Sequence, residues 1–403
     1  MSLCVFWNRQ SSLQSLEQLC SQLKDHQINI CKQSLNERFN SNAVEFLKFC
    51  FRDFFKKKVS AINYKGTCIG KFSRIRINDS TSIILPEHFS SQYRGCGGGA
   101  STAGLKVQYS YNLRGEEDPV LEITNGRTPD SAWKTDPTYP NELRVADLGY
   151  FNLSNFSVIQ SVKGYYLSRY RFDVKVYISK NGTLEELNLK KIISKMKTGK
   201  VIEMNVFLGI DQKLPTRLIL EKVPPEVSSA KRRKLKKDKK KKREKISRER
   251  LSFCDVNAYI TNTKNDMLPA KEVREIYSLR WQIELVFKSW KTIFNIDKVK
   301  KIKLERFECF FYGNLILILM LTKLTNIIKE YMWKNGKKEL SNWKALVHLR
   351  DKSTELFYAL LGTEKKLKLW LENISNWLIT MCLKEPKKHR KTPQTIISNL
   401  GLT

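Results

Sequence analysis

The segment Tyr277-Ser-Leu-Arg-Trp-Gln-Ile-Glu-Leu-Val-Phe-Lys-Ser-Trp-Lys291 gathers the side chains best suited to chemistry. On a helix turning ~100° per residue, with Tyr277 at zero, Arg280 falls near ~300°, Glu284 near ~340° and Lys291 near ~320°. The four share a stripe roughly 60° wide. Leu279, Ile283, Val286, Phe287, Trp290 and Ile293 occupy ~160–280°, a neighbouring face suited to a core, and Ser278, Gln282 and Ser289 lie on the solvent side. A carboxylate flanked by two cations suits a metal ligand beside phosphate-binding groups. The same residues also read as an ordinary amphipathic helix whose Arg280–Glu284 pair adds only about 0.2–0.5 kcal/mol.

Two further acids stand where strand patterns stop. Ile75 and Ile77 alternate with Arg74 and Arg76, and the run ends at Asn78-Asp79. Leu143–Ala146 reads as a strand ending at Asp147. Taken singly, each Asp is an ordinary turn residue at a strand end. Between them, 105–111 alternates apolar and polar, Arg114-Gly115 marks a turn, and 120–124 is a further strand. A helix over 152–163 and a strand over 165–169 follow. Three neighbouring strands, then strand–helix–strand, is the chain order of a ribonuclease-H-like α/β core, which would bring Asp79 and Asp147 together.

The surrounding elements divide the chain. Residues 1–60 are helical, with Leu13, Leu16, Leu19 and Leu23 at helical spacing, and read equally well as a DNA-binding helix-turn-helix or a plain hairpin. The core's first part spans 61–171. A mostly β insertion occupies 172–252, with strands near 173–178, 202–208 and 215–221. Residues 231–250 hold 14 Lys/Arg against 3 Asp/Glu, either a solvated run, helical or disordered, or a DNA-backbone contact, which is preferred. The core's second part, 253–330, contains a strand at 256–261 and helices at about 269–295 and 304–330. A basic helical region, 331–403, ends the chain.

Composition narrows the partners. Lys+Arg number 73 against 40 Asp+Glu, a formal net charge of +33, which favours a polyanion. Nine cysteines contain no C-x-x-C pair and only four histidines accompany them, so neither a zinc site nor a disulfide framework is expected. No signal peptide is recognisable, and the apolar run 315–321 is far short of the ~20 residues that span a bilayer. A soluble cytoplasmic protein is expected. Gly66–Phe72 is one residue short of a phosphate-binding loop and lacks the Ser/Thr after its Lys. Gly95–Gly99 reads as a flexible turn. His348-Leu-Arg350 lacks the spacing of a tyrosine recombinase, so Tyr277 is not read as a nucleophile.

The spacing Tyr277-x2-Arg280-x3-Glu284-x6-Lys291 resembles the "YREK" signature of bacterial insertion-sequence DDE transposases, insertion-sequence family four. Arg-Ile-Asn-Asp79-Ser-Thr and Ala-Asp147-Leu-Gly-Tyr-Phe resemble the segments around that family's first and second acids, and the resemblance runs over about 11–325. It implies a ribonuclease-H-like core interrupted by a mostly β insertion, with Asp79, Asp147 and Glu284 as catalytic metal ligands for two Mg²⁺ or Mn²⁺ ions. It also implies DNA contacts from Tyr277, Arg280, Trp281 and Lys291, with Trp281 stacking on an unpaired base and Trp290 in the core. The implied reaction is hydrolysis at the element's end, then attack of the freed 3′-hydroxyl on DNA, without ATP. The implied partners are double-stranded DNA, as terminal inverted repeats and target, and a second copy in a homodimer, in a bacterial nucleoid-associated setting without membrane. Two alternatives remain: a metal nuclease of this fold that does not join strands, and a non-catalytic DNA-binding relic. The second rests on the chain opening directly into its first helices, where family members carry more sequence, so that a shortened N-terminal region is an expectation.

Overall fold

The period-two run beginning at Arg74 forms β1 (Arg74–Leu85), the strand on which the architecture turns. The computed structural model describes residues 1–7, 13–56, 72–97, 101–112, 120–133, 139–241, 243–336, 338–385, 392–393 and 395–396. The Arg114-Gly115 turn and most of Gly66–Phe72 lie outside the described residues.

Among the described residues, four helices, α1 (Ser2–Val5), α2 (Leu16–Asp25), α3 (Lys32–Arg38) and α4 (Ser41–Lys56), precede β1. Then come β2 (Ala103–Asn112), β3 (Val120–Asn125), β4 (Glu142–Ala146), α5 (Leu153–Ser161) and β5 (Tyr165–Arg169). Strands β1, β2 and β3 form an antiparallel meander, and β1, β4 and β5 run parallel. This is the expected α/β order. Asn152 caps α5 by accepting bonds from the Ser154 and Asn155 backbone amides, which fixes where the helix begins.

The insertion does not make a separate sheet. It contributes β6 (Val176–Lys180), β7 (Thr183–Glu186), α6 (Leu189–Lys195), β8 (Val201–Leu208), β9 (Leu214–Lys222), α7 (Pro225–Lys241) and α8 (Arg248–Ser252), followed by β10 (Val256–Thr261). Strand β10 pairs antiparallel with both β5 and β9, so one ten-stranded sheet runs β3-β2-β1-β4-β5-β10-β9-β8-β6-β7. The short β7 and α6 carry no sequence expectation. Strand β7 is exposed along its length and buries no apolar face that could have marked it. The basic run is helical in α7, with Pro225 at the first helical position, where its missing N–H costs no bond.

Helices α9 (Val273–Ser278), α10 (Trp281–Thr292), α11 (Leu304–Gly336), α12 (Asn342–Asp351), α13 (Ser353–Leu361) and α14 (Glu364–Met381) follow. Helix α11 is long and apolar enough to cross a bilayer, but most of Arg306–Leu321 is buried in the protein core. Gly313 permits this packing: a Cβ there would lie 2.2 Å from the Cys4 carbonyl oxygen of α1.

Strand alternation separates two cores. Ile75, Ile77, Ile83 and Leu85 of β1, with Leu143 and Val145 of β4, join the terminal helices in one core. Tyr166, Leu218, Leu220 and Ile260 pack on the other face with α5 and α6. On that face, away from the acids, Glu142 is fully buried among Arg76 (3.3 Å), Arg144 (3.0 Å) and Arg74 (3.9 Å). A carboxylate withdrawn from water in this way is tolerable only because the guanidinium groups replace its hydration.

Candidate active site

Asp79 is not at the end of its strand, contrary to the sequence reading. β1 continues to Leu85, because Ile83 and Leu85 resume the buried period-two pattern after the polar stretch 78–82. What ends beside Asp79 is the parallel neighbour: Asn78 opposite Ala146 is the last β1–β4 pair. Asp79 and Asp147 are therefore the next residues on two adjacent strands. Both continue the odd-numbered parity of Ile77 and Val145, which faces the terminal helices.

The Tyr277–Lys291 segment is not one regular helix. It breaks between α9 and α10, where Arg280 N–H bonds Tyr277 O and Ile283 N–H bonds Arg280 O, both i to i−3 contacts. Such a turn takes up fewer residues than an α-helical one. The apolar stripe continues through it, since Leu279, Ile283, Phe287 and Trp290 are all buried. Phe287 and Trp290 pack against Tyr109 of β2, at ring separations of 6.2 and 5.2 Å, and so hold α10 on the acid-bearing face of the sheet. Trp290 thus takes the core position expected of it.

Arg280 joins the acids. Its Nη1 donates to Asp79 Oδ2 at 3.2 Å and its Nη2 to Glu284 Oε1 at 2.5 Å. Asp79 Oδ1 accepts from the Ser80 backbone amide at 2.8 Å, and Tyr277 donates its hydroxyl to Asp147 Oδ1 at 3.2 Å. Burial pushes the Asp79 carboxyl up to about 6, Asp147 and Glu284 push the same way, and the Ser80 amide and Arg280 oppose them. Burial also raises the Tyr277 hydroxyl well above the usual tyrosine range, with Asp147 adding to it, so Tyr277 is a donor at neutral pH.

Tyr277 is buried, and its bond to Asp147 occupies the hydroxyl that the sequence reading had aimed at phosphate. Trp281, by contrast, is 56% exposed. Lys291 Nζ donates to the Ser82 carbonyl of β1 at 2.9 Å. Among the described residues no group of three or more His, Cys, Asp and Glu is gathered tightly enough to ligate one ion in this arrangement. The guanidinium of Arg280 bonds both Asp79 and Glu284 where such an ion would bring them together. Three carboxylates against one guanidinium nonetheless leave a surplus of negative charge, and hard carboxylate oxygens are the donors that Mg²⁺ and Mn²⁺ prefer.

A polar network without a sequence expectation lies across the sheet from the acids, since Ser80, Lys106 and Gln108 have the parity opposite to Asp79 and Tyr109. Asp130 Oδ1 accepts from Ser80 Oγ (2.7 Å), Lys106 Nζ (3.0 Å) and Gln108 Nε2 (3.4 Å). Gln108 in turn accepts from the Tyr150 hydroxyl at 2.7 Å. The turn after Asp147 is thereby tied to β2. Ser80 stands next to Asp79 in the sequence, but Asp130, Lys106 and Gln108 come to it only through the fold.

This sheet, an antiparallel meander followed by two parallel strands, has the strand order of a ribonuclease-H-like core, with Asp79 and Asp147 on adjacent parallel strands and Glu284 on a helix packed over them. Residues 70–320 match the family model described as "Transposase DDE domain". The chain is 32% identical to the "Transposase for insertion sequence element IS231B" of Bacillus thuringiensis subsp. berliner, over all of this chain and 87% of that protein. It is also 32% identical to the "Transposase for insertion sequence element IS1151" of Clostridium perfringens, over 92% of this chain and 82% of that one. A more distant match, 23% identical over 69% of this chain, is the "Putative transposase InsL for insertion sequence element IS186A" of Escherichia coli (strain K12). The chain belongs to the DDE transposase family, a family of divalent-metal-dependent DNA transposases.

Proposed function

We propose that this transposase cuts DNA at the ends of its element and joins the freed 3′-hydroxyl to target DNA, with Asp79, Asp147 and Glu284 as its metal ligands. The observation that supports this best is the convergence at Arg280, which bonds both Asp79 and Glu284 while Asp147 stands on the strand next to Asp79. Two Mg²⁺ or Mn²⁺ ions held by these acids would supply Lewis-acid stabilisation to both the attacking and the leaving oxygen.

The geometry of the side chains supports the remaining roles. Tyr277 fixes the rotamer of Asp147 through its hydroxyl, and Ser80 N–H fixes one oxygen of Asp79. Arg280 keeps Asp79 and Glu284 within reach of each other, and its fork suits a phosphate once those acids have another cation to neutralise. Trp281 offers an exposed indole on which an unpaired base at the cut can stack. Lys291 places a point charge on the same flank of β1. Two DNA ends have to be handled together, so the working form is a homodimer on paired inverted repeats, in the nucleoid-associated cytoplasm of a bacterium.

The test is cleavage of a plasmid carrying the gene's flanking DNA, with wild type and Glu284→Ala, in Mg²⁺, Mn²⁺ or EDTA. Metal-dependent cuts at the repeat ends that disappear in Glu284→Ala are expected. DNA binding without cutting by the wild type in either metal overturns the proposal in favour of a non-catalytic relic, and cutting without joining in favour of a nuclease.

A further inference from the structure

Helix α7 carries more positive charge than its own packing uses. Its inner face is pinned. Ser228 Oγ and Arg232 Nη2 bond Asp255, at 2.5 and 2.6 Å, while Lys231 Nζ donates to the Val256 carbonyl and to Asn257 Oδ1, at 3.0 and 2.7 Å. Ser228, Lys231, Arg232, Leu235 and Lys239 are the sheltered positions of the helix. They fall within a ~100° arc at ~100° per residue. Over the opposite arc lie Arg233, Lys234, Lys236, Lys237, Lys240 and Lys241, all exposed; the acid of this stretch, Asp238, is also exposed and stands at the edge of that arc, next to Lys231 around the helix. Like charges three and four residues apart repel on a helix. A surface of this kind is relieved by a polyanion.

The register of the sheet places this helix at the catalytic edge. Ala146 of β4 lies opposite Ser168 of β5, and Arg169 lies opposite Tyr259 of β10. Since β10 runs antiparallel to β5, its beginning at Val256, where α7 is pinned, points to the same end of the sheet as Asp147. Cations bridge the interval. The guanidinium of the exposed Arg169 lies 5.2 Å from the centre of the Tyr277 ring, and Arg274 pairs with Glu221 at 2.9 Å. Burial lowers the Lys231 ammonium, and Arg169 and Arg274 lie close enough to lower it further.

We propose that the outward face of α7, continued by Arg169 toward the acids, is a sequence-independent clamp for the phosphate backbone of duplex DNA flanking the cut. The inference rests on the proposed transposase activity and assigns where its DNA lies. Phosphates on a duplex repeat about every 3.4 Å along each strand, and residues 233–241 rise ~12 Å along the helix. The face can therefore meet several phosphates at once.

The test compares full-length Lys236→Gln/Lys237→Gln/Lys240→Gln with a charge-matched control, Lys365→Gln/Lys366→Gln/Lys368→Gln on exposed positions of α14. Glutamine keeps helix propensity close to that of lysine. Binding of a duplex is titrated from 50 to 200 mM KCl, once with the repeat end and once with a scrambled sequence. Each lost phosphate contact flattens the log–log salt slope by ~0.9, so the α7 triple is expected to lose ~2 or more, equally on both duplexes, and the α14 triple less than ~1. Melting temperatures should be unchanged or raised in the α7 triple, which excludes misfolding as the cause. An α7 slope equal to wild type, or equal losses in the two triples, overturns the clamp. So does loss of binding to phosphatidylglycerol vesicles with the DNA slope intact. These results do not depend on cutting. A wild type that cuts while its α7 triple keeps the slope refutes the clamp alone, and one that never cuts refutes the activity alone.

Discussion

Replacing Asp79 with Asn should stabilise the metal-free protein at neutral pH, at the site where activity should be lost. The carboxyl is pushed from 3.8 to about 6, chiefly by burial. At ~1.36 kcal/mol per tenfold change in proton affinity, keeping it ionised at pH 7.5 costs the fold about 3 kcal/mol. The sign follows from the direction of the shift. The folded state holds this proton more tightly than the unfolded chain, so the contribution to stability is fullest below about pH 4 and is lost as pH rises through about 6. Asn removes the charge, and Arg280 keeps its bond to Glu284. The net gain is smaller than 3 kcal/mol because the 3.2 Å contact to Arg280 is weakened, and about 1–2 kcal/mol is expected. The assay is thermal or urea unfolding of wild type and Asp79→Asn in EDTA at pH 7.5 and 4.5. The variant should be the more stable at pH 7.5 and equal to wild type at pH 4.5, while Mg²⁺ stabilises only the wild type. A variant less stable at pH 7.5, or a gain of the same size at both pH values, refutes the reasoning.

Other outcomes follow from single contacts. Glu142→Ala strands Arg76 and Arg144 in the core and should cost about 3–5 kcal/mol, read as a large fall in melting temperature or as insoluble expression. Gly313→Ala drives a methyl into the Cys4 carbonyl and should cost about 1–3 kcal/mol by displacing α1, whereas the exposed Gly182→Asn, at a left-handed turn, should be nearly neutral in the same melt. Trp281→Ala should leave the melting temperature unchanged, since the indole is exposed, and weaken binding to a DNA end with unpaired bases by about 1–3 kcal/mol, with little effect on a blunt duplex.

Strand β5 was legible as a short run ending at a charged residue: it was read at Tyr165–Arg169 and is found there. The extent of β1 was not, because residues 78–82 are polar yet stay in the ladder opposite β2, and a buried polar strand segment has no apolar period to announce it. The stripe of Tyr277, Arg280, Glu284 and Lys291 was legible from helical spacing, whereas the tightened turn at Arg280 was not, since every residue there keeps right-handed backbone angles compatible with a continuous helix. Tyr277 illustrates a further limit: spacing placed it beside Glu284, but only the fold shows that its hydroxyl is taken by Asp147. The Asp130 network and the pairing of Arg74 and Arg76 with Glu142 join residues far apart in sequence through strand pairing, and no local pattern encodes that.

The central claim is that three acids distant in sequence form one metal site, and Mn²⁺ binding tests it most directly. Electron paramagnetic resonance would follow Mn²⁺ taken up by wild type, Asp79→Asn, Asp147→Asn and Glu284→Gln, each bound to a duplex carrying the repeat end. The account predicts tight uptake by the wild type and loss of the same sites in all three variants, with DNA affinity retained. Wild-type uptake in any one of the variants would remove that residue from the site and contradict the account.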